Sequence, residues 1–261
     1  MINFKNAILF ATIACIFAVG ACVNKTEDLP LNTGANFFPL KKGKYIVYDV
    51  DSITYDLLNQ ANHTVDTDTA SFQVKELVAD TLKDAQGRPS YKMEYYTRKD
   101  AAAPWVIRKV WLATRTAATA ERVEDNQRFV KLTFPIQSTT SWNSARHLDS
   151  TTELTVRGET IAKIYENWKS RYSNIDKKHT QGTKTFDSTL TVVHTNYEVL
   201  TNKRYYKEIY ARNVGLVYKR FELMDTQCGT GDTSTCPRSG RSFYERAEKG
   251  FVLEMRLKEF N

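Results

Sequence analysis

The chain has 261 residues, 41% of them hydrophobic and 26% charged, with a formal net charge of +7 at pH 7. That apolar content can fill a sizeable core and argues against a disordered chain. The cationic surplus favours anionic partners such as lipid headgroups or acidic glycans, but Lys and Arg are interspersed with Asp and Glu and stand beside no nucleic-acid-binding module, so no nucleic acid partner is expected.

Met1–Cys22 decides the address. Lys5 gives a short positive start, Ala7–Val19 is uncharged and apolar, and Val19-Gly20-Ala21-Cys22 closes with small residues before a cysteine. This is the layout of an export signal. The apolar run is shorter than the roughly 20 residues that a spanning helix needs, and Asn24, Lys25, Glu27 and Asp28 follow it at once. The Val-Gly-Ala-Cys end resembles the bacterial lipobox, which implies removal of residues 1–21 and lipidation of Cys22. Several acyl chains, at about 0.8 kcal/mol per buried CH₂, would hold the mature protein on a membrane. Residues 22–36 are polar and aperiodic, with Pro30 and Gly34, and read as a tether. Residues 37–261 read as one β-rich domain.

From Phe37 onward short alternating runs recur between turn residues. Strands are expected over Tyr45–Tyr55, Thr69–Ala79, Tyr91–Arg98, Trp105–Arg115, Gln127–Phe134, Thr152–Val156, Lys184–His194, Arg204–Ala211, Leu216–Met224 and Gly250–Phe260, with Asn59–Asp68 as a polar loop. Trp105, Ile107 and Trp111 share one parity and Val106, Val110 and Leu112 the other, which places that strand near the sheet centre. Ile161–Ile175 fits an amphipathic helix by its spacing, while Asn167, Ser170, Ser173 and Asn174 fit a strand in its later half; both stay open. The expected fold is mainly β, a single large curved antiparallel sheet or partly open barrel with little helix, because a flat sheet of about ten strands twists and curls.

Cys228 and Cys236 bracket a Gly/Ser/Thr loop, and in an oxidising compartment they predict a disulfide. No His stands near either, so zinc is not expected, and no other cofactor motif is present. The histidines are His63, His147, His179 and His194, without ligand spacing, and no Gly-x-Ser-x-Gly or His-Glu-x-x-His run occurs. Ser188 and His194 lie on one strand about 20 Å apart, too far to cooperate. No catalytic residue is assigned. Trp105, Trp111, Tyr91 and Tyr95 are the candidate ligand-binding residues, able to stack on sugar rings or line an acyl cavity.

Phe38-Pro39-Leu40-Lys41-Lys42-Gly43 running into Tyr45-Ile46-Val47-Tyr48 is similar to the opening of a broad group of uncharacterised Bacteroidota outer-membrane lipoproteins. Leu132-Thr133-Phe134-Pro135 with Trp142-Asn143, then Phe186–Val192, and Ile209-Tyr210-Ala211-Arg212-Asn213-Val214-Gly215-Leu216-Val217-Tyr218 resemble its later landmarks. Ser144 departs from the glycine expected after Trp142-Asn143, which implies a looser turn there. More distantly, the opening and the Tyr-Ala-x-x-Val-Gly-Leu-Val hairpin resemble lipoprotein-localisation-factor-like folds, which implies a curved antiparallel sheet able to hold acyl chains. The resemblance carries no activity and no site residues. The expected protein is therefore an outer-membrane-anchored, non-catalytic lipoprotein that binds a lipid or glycan or supports an envelope complex, facing either the periplasm or the outside. The alternative is an anchored hydrolase of envelope or dietary polymers, for which carboxylates are plentiful but no two stand out. The sequence names no oligomeric state.

Overall fold

A computed structural model describes residues 33–59, 61–228, 236 and 238–261. The expected signal and Cys22 lie outside the described residues. Thr33–Asn261 forms one compact unit, so the last four residues of the expected tether belong to the folded part.

The strands in chain order are β1 (Tyr45–Asn59), β2 (Thr64–Lys83), β3 (Pro89–Arg98), β4 (Val106–Arg115), β5 (Thr119–Glu124), β6 (Gln127–Thr133) and β7 (Ser141–Trp142). They continue with β8 (Leu154–Val156), β9 (Glu159–Ile161), β10 (Ser170–Gln181), β11 (Lys184–Glu198), β12 (Asn202–Ala211), β13 (Gly215–Asp225) and β14 (Lys249–Phe260). Twelve of them make a single antiparallel sheet in the order β6-β5-β4-β3-β2-β1-β14-β13-β12-β11-β10-β7, and β8 pairs with β9 as a separate hairpin. The sheet curls until its two edges meet, a barrel closed except at one seam between β6 and β7/β10. The mainly β, curved-sheet expectation holds.

Side chains bridge that seam where a ladder would be. Trp142 Nε1 donates to the Val130 carbonyl at 2.8 Å, and the Tyr172 hydroxyl both accepts from the Thr133 N–H and donates to the Thr133 carbonyl, each at 2.7 Å. The Ser144 carbonyl accepts the Val130 N–H at 2.9 Å. The turn after Trp142-Asn143 is thus tied to β6 and is not loose, contrary to what a serine there led us to expect.

Several boundaries shift for identifiable reasons. The expected loop Asn59–Asp68 is mostly strand: Thr64, Val65, Thr67 and Thr69 continue β2 against β1, and Arg157 bridges Asp56 at 3.4 Å and Asp66 at 3.2 Å, relieving repulsion across the hairpin. β5 was not anticipated; Asp125 and Asn126 turn it into β6 with φ of 51° and 63°, the left-handed pair that tight hairpins use. Ile161–Ile175 is no helix. It ends β9, passes through turns to Trp168, and enters β10, because its apolar residues point into the barrel base instead of along one helix face. A short α-helix, α1 (Phe243–Arg246), has a capping box between Ser242 and Glu245.

Each end of the barrel is stoppered. At one end Phe37 and Phe38 are buried, and Arg115 Nη1 donates to the carbonyls of Ala35 at 3.1 Å and Phe38 at 2.9 Å. At the other, Ile161, Ile164, Tyr165 and Trp168 pack with Phe129, Tyr206 and Leu223. Outside the barrel wall, α1 covers Tyr55, Met224 and Val252 through Phe243. Cys228 and Cys236 are joined, their Cα atoms 5.4 Å apart.

Gly250 marks the tightest crossing. Its φ is +117°, and a Cβ there would stand 2.0 Å from the Leu223 carbonyl oxygen. We expect Gly250→Ala to cost on the order of 3 kcal/mol or more, read as a fall in melting temperature, since strain and a backbone clash coincide. Gly87→Ala, with φ +74° but open space around the Cβ, should cost only about 1 kcal/mol.

Candidate functional site: a charged floor in the barrel interior

Alternation puts every second strand residue inside, and at the waist of the barrel those residues are charged. Arg122 on β5 reaches Glu76 on β2 with two guanidinium nitrogens, at 3.2 and 3.0 Å, and its Nε lies 3.1 Å from Glu124. Lys131 on β6 stands 3.4 Å from both Glu124 and Glu208 and donates to the Tyr206 hydroxyl at 2.9 Å. Glu208 on β12 also accepts hydrogen bonds from the hydroxyls of Tyr206 and Tyr210, the latter at 2.6 Å, and a contact from His194 Nε2 at 2.9 Å. Lys219 on β13 completes the ring with its ammonium 5.3 Å from the Tyr206 ring centre.

The electrostatics follow from burial and pairing. Burial opposes the charge on Glu124, but Lys131 and Arg122 beside it, and then Lys219, bring its pKa down to about 2. Burial likewise opposes the Glu208 charge, and Lys131 and the His194 hydrogen bond overcome it, holding this carboxyl well below the usual range. Burial lowers the Lys219 pKa. It lowers that of His194 too, against the pull of Glu208. The hydroxyls of Tyr48, Tyr206 and Tyr210 are pushed up by burial and the nearby glutamates. Glu124 and Glu208 are thus held as carboxylates by the cations packed around them.

A cavity of about 330 Å³ opens beside this floor. Its walls include Tyr95, Trp111, Phe251, Leu253 and Met255, and its floor Glu76, Arg122, Glu124 and Lys219. At the rim Lys109 and Asp125 pair at 2.5 Å, their side chains 45% and 58% exposed, so the mouth meets solvent. Such a size, an apolar wall and a few convergent polar groups suit a small-ligand pocket. A smaller apolar pocket of about 50 Å³ shares Glu76, Arg122 and Leu216 with it and extends toward Phe38 and Leu40.

Of the four aromatic residues singled out in the sequence, the structure brings two together here. The rings of Tyr95 and Trp111 lie 4.6 Å apart in the cavity wall. Tyr91 packs against the main core without lining the cavity. Trp105 is on the other face: the β3–β4 register shifts between Tyr95 and Tyr96, so Ile107 and Trp105 leave the parity of Trp111, and Trp105 lies under Arg98 and Lys75, 4.2 and 5.0 Å from its ring. Nor is β4 central along its whole length. β5 pairs only with Leu112–Arg115, leaving Val106, Ile107 and Val110 at 44%, 49% and 52% exposed.

The enzyme alternative meets two arrangements. Ser170 Oγ lies 3.0 Å from His194 Nδ1, and His194 Nε2 lies 2.9 Å from Glu208, a serine–histidine–glutamate line that the sequence did not reveal. Yet Ser170 and His194 are 0% exposed and Glu208 1%, with Trp142 and Trp168 against the imidazole, so no substrate carbonyl reaches the hydroxyl in this structure. The line ties β10, β11 and β12 together. At the barrel base a polar groove includes Asp225 and Glu248, but Asp225 is held by Arg204 at 2.6 Å and Glu248 by His63 and Arg238. Ser188 pairs with Asp176 and not with His194.

No family model matches the chain, and no curated protein does. Two solved structures are similar to it at low level. One is a candidate exported protein with a YmcC-like fold from Bacteroides fragilis, 13% identical, with a TM-score of 0.34 over 85% of this chain and 99% of that one. The other is a candidate lipoprotein from Parabacteroides distasonis, 14% identical, with a TM-score of 0.35 over 86% of this chain and 98% of that one. Likeness at this level carries neither fold nor function across.

Proposed function

We propose that the protein is a non-catalytic lipoprotein, anchored to the outer membrane through Cys22, whose barrel head holds a small amphiphile. The observation that carries the reading is the cavity of about 330 Å³, with Trp111, Leu253 and Met255 on its wall and an ionised floor. A lipid is favoured over a glycan because sugar stacking needs an open aromatic face. The Trp111 ring is already occupied by Tyr95 at 4.6 Å and the Arg122 guanidinium at 4.9 Å. The anchor rests on the signal-like layout of Met1–Cys22, and the Cys228–Cys236 bridge accords with an exported, oxidised setting.

Two outcomes test this. Cys22→Ser should abolish acyl labelling and free the protein from membranes; retention of both would reject the anchor. A photoactivatable alkyl alcohol added to membranes holding the full-length protein should label peptides of β14 preferentially. Leu253→Glu, which puts a charge on the apolar wall, should cut that labelling about tenfold, as expected for a loss of roughly 1.4 kcal/mol in binding. Labelling spread evenly over the surface would reject an internal site.

A further inference from the structure

The charged residues lining the cavity are not equivalent. Glu76 is engaged by both arms of Arg122, Glu124 by Arg122 and Lys131, and Asp125 by Lys109. Lys219 is different. Among the described residues no hydrogen-bond acceptor or carboxylate pairs with its ammonium, and Glu124 and Glu208 act on it only at longer range. Lys219 lines the cavity, so a ligand that supplied an acceptor there would pair its ammonium.

We propose that Lys219 is the head-group anchor of the cavity and that the ligand is a single-chain amphiphile ending in one carboxylate, with its chain along Phe251, Leu253 and Met255. This deepens the amphiphile reading above and rests on it. A carboxylate has one charge for the one unpaired cation, whereas a phosphate monoester at neutral pH carries about −1.5 to −2 and would face Glu76 and Glu124 with its excess. Its oxygens accept hydrogen bonds from a lysine ammonium. The neutral walls give the chain its affinity, and the charge-assisted hydrogen bond gives the selectivity.

The test uses full-length protein in its membrane and three photoactivatable probes with the same ten-carbon chain: decanoate, decanol and decyl phosphate. Decanoate should label β14 about tenfold more than decanol and more than decyl phosphate. Lys219→Met should remove the preference for decanoate over decanol, and Lys219→Arg should restore most of it. The wild-type decanoate-to-decanol ratio needs no variant, so misfolding of Lys219→Met cannot shield the proposal. Equal labelling by decanoate and decanol overturns the head-group assignment and leaves the amphiphile reading standing. Stronger labelling by decyl phosphate overturns the carboxylate. No labelling of β14 by any probe overturns both readings.

Discussion

Arg122→Met is expected to destabilise the barrel by about 3–5 kcal/mol, the range for breaking a buried ion pair on one side. The substitution keeps much of the volume but strands Glu76, 3.0–3.2 Å from where the guanidinium stood, and leaves Glu124 with Lys131 alone. It also removes the cation from the Trp111 face. The measurement is the urea midpoint, with the denaturant slope checked for constancy. Arg122→Met combined with Glu76→Gln should recover part of the loss, because one stranded charge is then gone. A cost under about 1 kcal/mol for the single variant would mean that the network is hydrated and contributes little, as surface pairs do.

The same network makes the fold acid-sensitive in two stages. His194 is held below its ordinary pKa of 6.5 by burial, so the unfolded chain takes up that proton first as the pH falls, and stability begins to decline there. Glu124 is depressed from 4.5 to about 2, so its contribution is complete above its unfolded pKa and is lost as the pH falls from about 4.5 toward 2. At 1.36 kcal/mol per pKa unit that is about 3 kcal/mol, with Glu208 acting in the same direction. Urea midpoints should fall gently as the pH drops below 6.5 and steeply below 4.5. Glu124→Gln should flatten the steep limb. Equal midpoints at pH 3 and pH 7 would contradict an ionised interior.

How much of this the sequence discloses depends on where alternation is interrupted. The strands β3, β12, β13 and β14 are legible because their period-two pattern runs unbroken and Gly, Asn and Asp mark their ends. β5 and β7 are not, being too short to show a period. The placement of Trp105 fails because one bulge between β3 and β4 reverses the face, and nothing in the local composition announces a bulge. The charged floor, in contrast, left a trace. Lys219 stands between Val217 and Phe221, and Glu208 between Tyr206 and Tyr210, so each is a charge on an otherwise inward parity. A charge there is costly to bury unless partners from other strands meet it. Which partners do so is a matter of barrel closure, which brings β2, β5, β6 and β12 together across more than a hundred residues of sequence. The Ser170–His194–Glu208 line is equally a product of pairing between β10, β11 and β12.

The proposed function requires that the cavity beside Trp111 and Lys219 hold an amphiphile in the host cell. Native mass spectrometry of the full-length protein released gently from its own membrane tests that most directly. The expected spectrum shows a subpopulation heavier by one small amphiphile, beyond the chain and any acyl groups carried at the proposed anchor Cys22, and that extra mass is lost on Leu253→Glu. A spectrum showing only the chain without a bound amphiphile, unchanged when amphiphiles are supplied, would contradict it.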